Sequence, residues 1–247
     1  NRTNMLDGFV AFPKEFARRY REKGYWEDRT LADVFSKIFD KYGERIAVCD
    51  AETEVSYREL DKGAENLALN LLDAGLNPGD IVVLQLGNVL EFVYTYFAFH
   101  KIGVRPILAL HTHRYRELKQ FVELSGAVAS FTVDRAKDCD FTEIVNRIRS
   151  ETSSLKLMFV LGKTSEGFQS LAELIARPSQ RDPADIQAIQ KKIDPEQPAL
   201  FLLSGGTTGI PKLIPRSHND YVCNSKLAGG CTGITEDSVL LDVLPIG

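Results

Sequence analysis

"IVVLQLGNVLEFVYTYFAFHKIGVRPILAL", residues 81–110, decides the fold. Its first six residues form an apolar run short enough for a buried strand, and the stretch from Val89 to Ile102 reads as a helix that stops at Gly103. A second apolar run, "VRPILAL" at 104–110, follows at once. The order then continues outward. A helix is expected around 114–125, closed by Gly126, then a strand in "AVASFTV" (127–133), a helix around 141–150 and a strand in "LKLMFVL" (155–161). Strands that are apolar throughout and alternate with helices imply a mostly parallel sheet covered on both faces, so the expected fold class is α/β.

Upstream of that unit, Thr30 and Asp33 form a capping box for a helix carrying Leu31, Val34, Phe35, Ile38, Phe39 and Tyr42 on one face. "RIAVCD" (45–50) and "EVSY" (54–57) read as two strands around a polar turn. Ser56 and Glu59 open a further helix, bearing Leu60, Ala64, Leu67 and Leu71, which Gly75 ends. Downstream, residues 178–198 hold four prolines and little apolar periodicity, which predicts a surface connection before the chain re-enters a core with "ALFLL".

Composition excludes several classes. The 247 residues are 44% hydrophobic and carry a formal charge of -4, so no basic field speaks for nucleic acid as a partner. No apolar run approaches the ~18 residues that span a bilayer, and the first residues lack a signal-peptide layout, which together predict a cytoplasmic protein without a membrane. Cys49, Cys139, Cys223 and Cys231 form no CxxC pair and are expected to be reduced, mostly buried thiols.

The chemistry concentrates in "SGGTTGIPK", residues 204–212. It is neither a Walker A loop nor GxGxxG, and the apolar, proline-bearing "KLIPR" that follows favours a strand, so a strand, loop, strand hairpin is expected. Gly205, Gly206 and Gly209 let the backbone come close to a ligand and aim amides into one concavity. Ser204, Thr207 and Thr208 add hydroxyl donors, and Lys212 adds a compact cation. Together they describe a cradle for a polyphosphate. A generic "GGTTG" is more simply a hairpin turn, but the nine-residue pattern, with Pro211 before Lys212, is more specific.

The longer run "LLSGGTTGIPKLIPRSHNDY" (202–221) resembles the phosphate-loop signature of the acyl-adenylate-forming superfamily. "FPKEFARRYREKGYWEDRTLADVF", "SYRELD", "QLGN" and "GVRPILAL" extend the likeness, in order, to the 2,3-dihydroxybenzoate-AMP ligases of siderophore biosynthesis. The resemblance implies the front half of a large N-terminal adenylation domain, with Ser204, Gly205, Gly206, Thr207, Thr208, Gly209 and Lys212 on the phosphates of ATP. It also implies Mg2+, an aryl acid (2,3-dihydroxybenzoate first, salicylate next) and an aryl carrier protein whose phosphopantetheine thiol receives the acyl group. Those enzymes continue past the point matching Gly247 into an acyl-binding segment, the adenine and ribose sites and a C-terminal lid with an adenylation lysine. The expectation is therefore that residues 1–247 alone are inactive, hold no assignable catalytic residue and self-associate, a homodimer included, through apolar surface. Other acyl-CoA ligases, amino-acid adenylation enzymes and a non-catalytic interaction module are the competing readings.

Other chemistry-bearing residues carry plainer roles. His111 and His113 could face one ligand from an extended segment, yet two histidines make a weak metal site and a loop role is favoured. His218, Asn219 and Asp220 suit capping and packing at a helix that Ser217 or Asn219 begins. Trp26 is expected to anchor an N-terminal helix to the domain.

Overall fold

The computed structural model describes residue 6 and residues 8–137, 139–205, 209 and 211–246. The chain opens with α1 (Lys14–Glu22) and α2 (Leu31–Tyr42), then β1 (Ile46–Cys49), β2 (Glu54–Ser56) and α3 (Tyr57–Asp73). The alternating region comprises β3 (Ile81–Gln85), α4 (Leu90–Lys101), β4 (Arg105–Leu108), α5 (Tyr115–Ser125) and β5 (Ala129–Val133). A small ribbon of β6 (Arg135–Ala136) and β7 (Cys139–Asp140) leads to α6 (Phe141–Glu151), β8 (Leu157–Leu161), β9 (Gln169–Ser170) and α7 (Leu171–Ala176). Last come α8 (Ala184–Gln190), β10 (Pro198–Leu203), β11 (Leu213–Ser217) and α9 (His218–Thr232).

Both capping boxes form as read. The Thr30 and Ser56 hydroxyls accept from the amides of Asp33 and Glu59, whose carboxylates return the bond. Gly126 closes α5 at φ +68°, where a side chain would be strained.

Seven strands form one sheet in the order β11-β10-β4-β3-β5-β8-β9, parallel except for β11. All five residues of β3 are buried, because the two-residue alternation sends Val82 and Leu84 into one apolar layer and Ile81 and Val83 into the other. The first layer collects α3, α4 and α7, and the second collects α5 and α6. Chain connections leave β3 toward β4 and leave β5 toward β8, so they part at the carboxyl ends of β3 and β5. Open α/β sheets bind ligands at such a switch point.

Two expectations change, and one further element, α7, appears without a sequence signal. The segment 178–198 carries α8, whose Ile186 is 3% exposed and joins the core, since a seven-residue helix docking one side chain leaves no periodic stripe to read. The thiols are not mostly buried: Cys49 and Cys231 are exposed and Cys139 and Cys223 half-buried, because Cys49 ends a two-stranded ribbon and α9 is covered only near its start. The six-residue α7 is too short for a periodic signal, and side chains of α3 hold it. Asn70 Nδ2 donates to the Leu174 and Arg177 carbonyls at 2.8 and 2.7 Å, and Asn66 Nδ2 donates to those of Ile175 and Arg177. Asn70→Ala strands the buried Leu174 carbonyl, while Arg177 keeps its bond from Asn66, and urea unfolding is expected to show about 1–3 kcal/mol less stability at an unchanged m-value.

Candidate active site

The loop expected to hold phosphate leaves the carboxyl end of β10, which runs parallel to β4 and antiparallel to β11. Leu203 pairs with Leu213, and the loop is tied at its base immediately beyond that pair. The Ser204 amide donates to the Lys212 carbonyl at 3.0 Å, and the Lys212 amide donates to Ser204 Oγ at 2.9 Å. The expected hairpin is therefore present. Its Ser204 hydroxyl braces the backbone of the loop's last residue, a role its sequence position alone does not reveal.

Gly205 and Gly209 are exposed, and a Cβ at either position would meet no atom within 4 Å. The Lys212 side chain is exposed and enters no ion pair among the described residues. It also borders a groove of about 360 Å³ with Gln120, Leu124, Leu213 and Pro215. Gly206, Thr207 and Thr208, the other expected phosphate contacts, lie outside the described residues.

A rigid corner after β4 flanks this edge of the sheet. Leu110 and His113 close it: the Leu110 amide donates to His113 Nδ1 at 3.0 Å and the His113 amide donates to the Leu110 carbonyl at 3.0 Å. From β3, Gln85 Nε2 donates to the same two residues' carbonyls at 2.8 and 3.1 Å. Arg114 completes the corner, donating to the His111 and His113 carbonyls while its guanidinium lies 5.0 Å from the Phe141 ring centre. In sequence "QLGN" carries only the family likeness; the local signal for this role is an amide side chain, Gln85, at the end of an otherwise apolar strand.

The two histidines do not share a face. The segment turns at His111, which is exposed, whereas His113 is buried at 9% exposure. Spacing along an extended segment fails here because the backbone reverses. Among the described residues no group of three or more His, Cys, Asp or Glu could hold a metal ion.

"SHND" at 217–220 ties the N-terminal segment to the domain. Ser217 caps α9 by accepting from the Asp220 amide at 3.2 Å, which decides between the two candidate caps. Asn219 accepts from the Asp28 amide at 3.0 Å and donates to its carboxylate at 2.8 Å. His218 Nδ1 accepts from the Leu31 amide at 3.1 Å. Asp28 holds φ +52°, a backbone region unusual for a side-chain-bearing residue, and this two-point grip plus a bidentate Arg21 contact keeps it there. Those contacts, Arg21 foremost, hold the Asp28 carboxyl below the usual carboxylate range. Trp26 is 5% exposed against Phe12 and Tyr20, so it anchors α1 as expected.

Comparison with known proteins bears on the same region. The chain is 39% identical over 98% of its length to a salicylyl-CoA synthase / salicylate adenylyltransferase of Streptomyces sp. It is 38% identical over 98% of its length to a salicyl-AMP ligase / salicyl-S-ArCP synthetase of Mycobacterium tuberculosis. A third relative, 35% identical over 98% of the chain, is the 2,3-dihydroxybenzoate-AMP ligase of Bacillus subtilis. The chain spans 44%, 42% and 43% of the lengths of these three relatives. Among solved structures, apo MbtA of Mycobacterium smegmatis superposes with a TM-score of 0.86 at 36% identity, over 97% of this chain and 43% of that one. The family model for AMP-binding enzymes matches residues 35–247. Sheet, loop and relatives agree that the chain belongs to the AMP-binding enzyme family, beside the aryl-acid AMP ligases.

Proposed function

We propose that the protein activates an aryl acid, 2,3-dihydroxybenzoate or salicylate, by displacing pyrophosphate from Mg·ATP, and passes the acyl group to the phosphopantetheine thiol of an aryl carrier protein. The observation that carries this reading is the 204–212 hairpin, tied between Ser204 and Lys212, with an exposed lysine that enters no ion pair among the described residues at the base of a glycine-rich run. The relatives' names, salicylate and 2,3-dihydroxybenzoate ligases at 35–39% identity, supply the acid.

In this reading Ser204, Gly205, Gly206, Thr207, Thr208, Gly209 and Lys212 receive the ATP phosphates. Backbone amides and hydroxyls cradle the oxygens, and Lys212 offsets the charge that grows on the departing pyrophosphate. Lysine suits this task as a compact point charge with three donors, and the tied base limits how far its backbone can stray. Mg2+ would enter already coordinated by ATP phosphates, as this hard cation commonly does, without a dedicated protein cage. The Gln85, His113 and Arg114 corner would give the neighbouring wall its shape.

The test is hydroxybenzoate-dependent ATP–pyrophosphate exchange on the full-length gene product beside its Lys212→Ala variant. Exchange with either hydroxybenzoate is expected, falling roughly 100-fold in the variant, the scale at which one preorganised charge-stabilising donor acts. Exchange with fatty or amino acids but with no hydroxybenzoate would move the protein to another branch of the family. Unchanged exchange in Lys212→Ala would remove the lysine from the reaction.

A further inference from the structure

A cleft of about 680 Å³ opens at the amino ends of β3, β4 and β10, the opposite end of the sheet from the 204–212 loop. Its walls include Val104, Ile189, Ile193 and Pro198, and two donor groups stand among these apolar side chains. Arg105 begins β4 and is half-buried. Of its five N–H donors, only one is engaged among the described residues, in a long 3.3 Å bond from Nη1 to the Gly79 carbonyl. Neighbouring Asp80 accepts from the Asn77 amide at 2.8 Å and forms no ion pair with Arg105 among the described residues. Burial accordingly lowers the Arg105 pKa and raises that of Asp80.

His218 supplies the second donor. Its Nδ1 accepts from the Leu31 amide, so the neutral ring carries its proton on Nε2, which has no partner among the described residues. The Arg105 charge helps to lower the His218 pKa, which places the two groups within electrostatic reach of each other.

We propose that this cleft binds a small carboxylate with an apolar body, its carboxylate received by the Arg105 guanidinium and the Nε2–H of His218. A guanidinium matches a carboxylate as two parallel donors, and partial burial strengthens such bonds. The apolar walls suit an aromatic or branched aliphatic body, and the volume falls among small-molecule sites. Lys192 adds a second cation to the lining, and Asp80 and Asp194 add two carboxylates, so the balance favours a monoanion over a phosphate dianion. The site lies outside the phosphate loop and stands whether or not the proposed adenylation holds.

Benzoate is the probe. Titrated into the ¹⁵N-labelled 247-residue chain, it is expected to give saturable shifts at the amides of Gly79, Arg105 and Ile193, whereas benzylamine gives none. Arg105→Gln is expected to weaken benzoate roughly tenfold or more, and Lys212→Ala to leave its affinity unchanged. No saturable shift at these amides, equal binding of benzylamine, or full affinity in Arg105→Gln overturns the proposal. Should Arg105→Gln fail to fold, Arg105→Lys replaces it. That variant keeps the charge but loses the paired donors, so weaker binding is expected and unchanged affinity again overturns the site.

Discussion

Phe131→Ala is expected to lower the unfolding free energy by about 3–5 kcal/mol. Phe131 sits in the middle of the central β5 strand with no exposed surface, stacked on Phe159 at 4.4 Å between ring centres and met edge-on by Phe99 at 4.8 Å. Removing the ring takes away its buried area and two aromatic contacts, and it leaves a cavity between rigid parallel strands and α4 that cannot easily close. Urea unfolding measures the loss. A cost below about 1.5 kcal/mol would mean that the layer between sheet and α4 repacks, unlike a close-packed core.

Acid is expected to destabilise the protein well above the range where carboxylates titrate. His100 is fully buried among Phe35, Tyr96 and His218, with Nε2 lacking a partner among the described residues, and burial first, then His218, pushes its pKa down to about 3. His218 is pushed down to about 4, again by burial first, with Arg105 adding to the shift and Asp33 opposing it. Both are neutral in the folded state, whereas in the unfolded chain they gain protons near the ordinary histidine value of about 6.5. The unfolded state therefore binds more protons below that pH. The stability these histidines permit is complete above pH ~6.5, and it is lost as pH falls toward their folded values at about 1.4 kcal/mol per pH unit for each ring. Between pH 7 and 5 the two together cost about 4 kcal/mol, an upper figure for sites this buried. His113, lowered by burial, acts in the same direction. Asp28 and Glu27, lowered chiefly by hydrogen bonds from Arg21 and Lys226, release their stabilisation only below the ordinary carboxylate range.

Urea midpoints at pH 7 and 5 measure the effect. The wild-type chain should lose most of its margin, and His100→Phe should show about half the loss, whatever its absolute stability at pH 7. Equal losses in both proteins would place the acid sensitivity elsewhere.

Much of the architecture is legible in the sequence because its signals are local. A capping box needs only four residues, so Thr30 with Asp33 and Ser56 with Glu59 declared their helices directly. Strands buried on both faces must be apolar throughout, so β3 and β5 stood out and implied the parallel sheet. The hairpin was legible in the same way, since a glycine-rich run followed by an apolar, proline-bearing one cannot continue as a helix.

Short elements were not legible, because α7 and α8 draw their stability from contacts distant in sequence. Asn66 and Asn70 hold the one, and the core burial of Ile186 holds the other. Thiol exposure was misjudged for a related reason. Cysteine behaves as a small hydrophobe, but Cys231 lies on the part of α9 that nothing else in the described structure covers.

By itself, then, the sequence determined the α/β class, the helix starts, the position of the glycine loop between two strands and the family likeness, all of which rest on spacing within a few residues or on a contiguous motif. Only the tertiary structure decided that Ser204 and Lys212 tie that loop, that Gln85 and Arg114 shape the neighbouring corner, that His111 and His113 part company, and that Arg105 and His218 line one cleft. Those outcomes depend on which strands pair and which helices cover them. Residues 8 to 187 positions apart become neighbours through the burial of the whole sheet, a cooperative free energy that no local window of sequence contains.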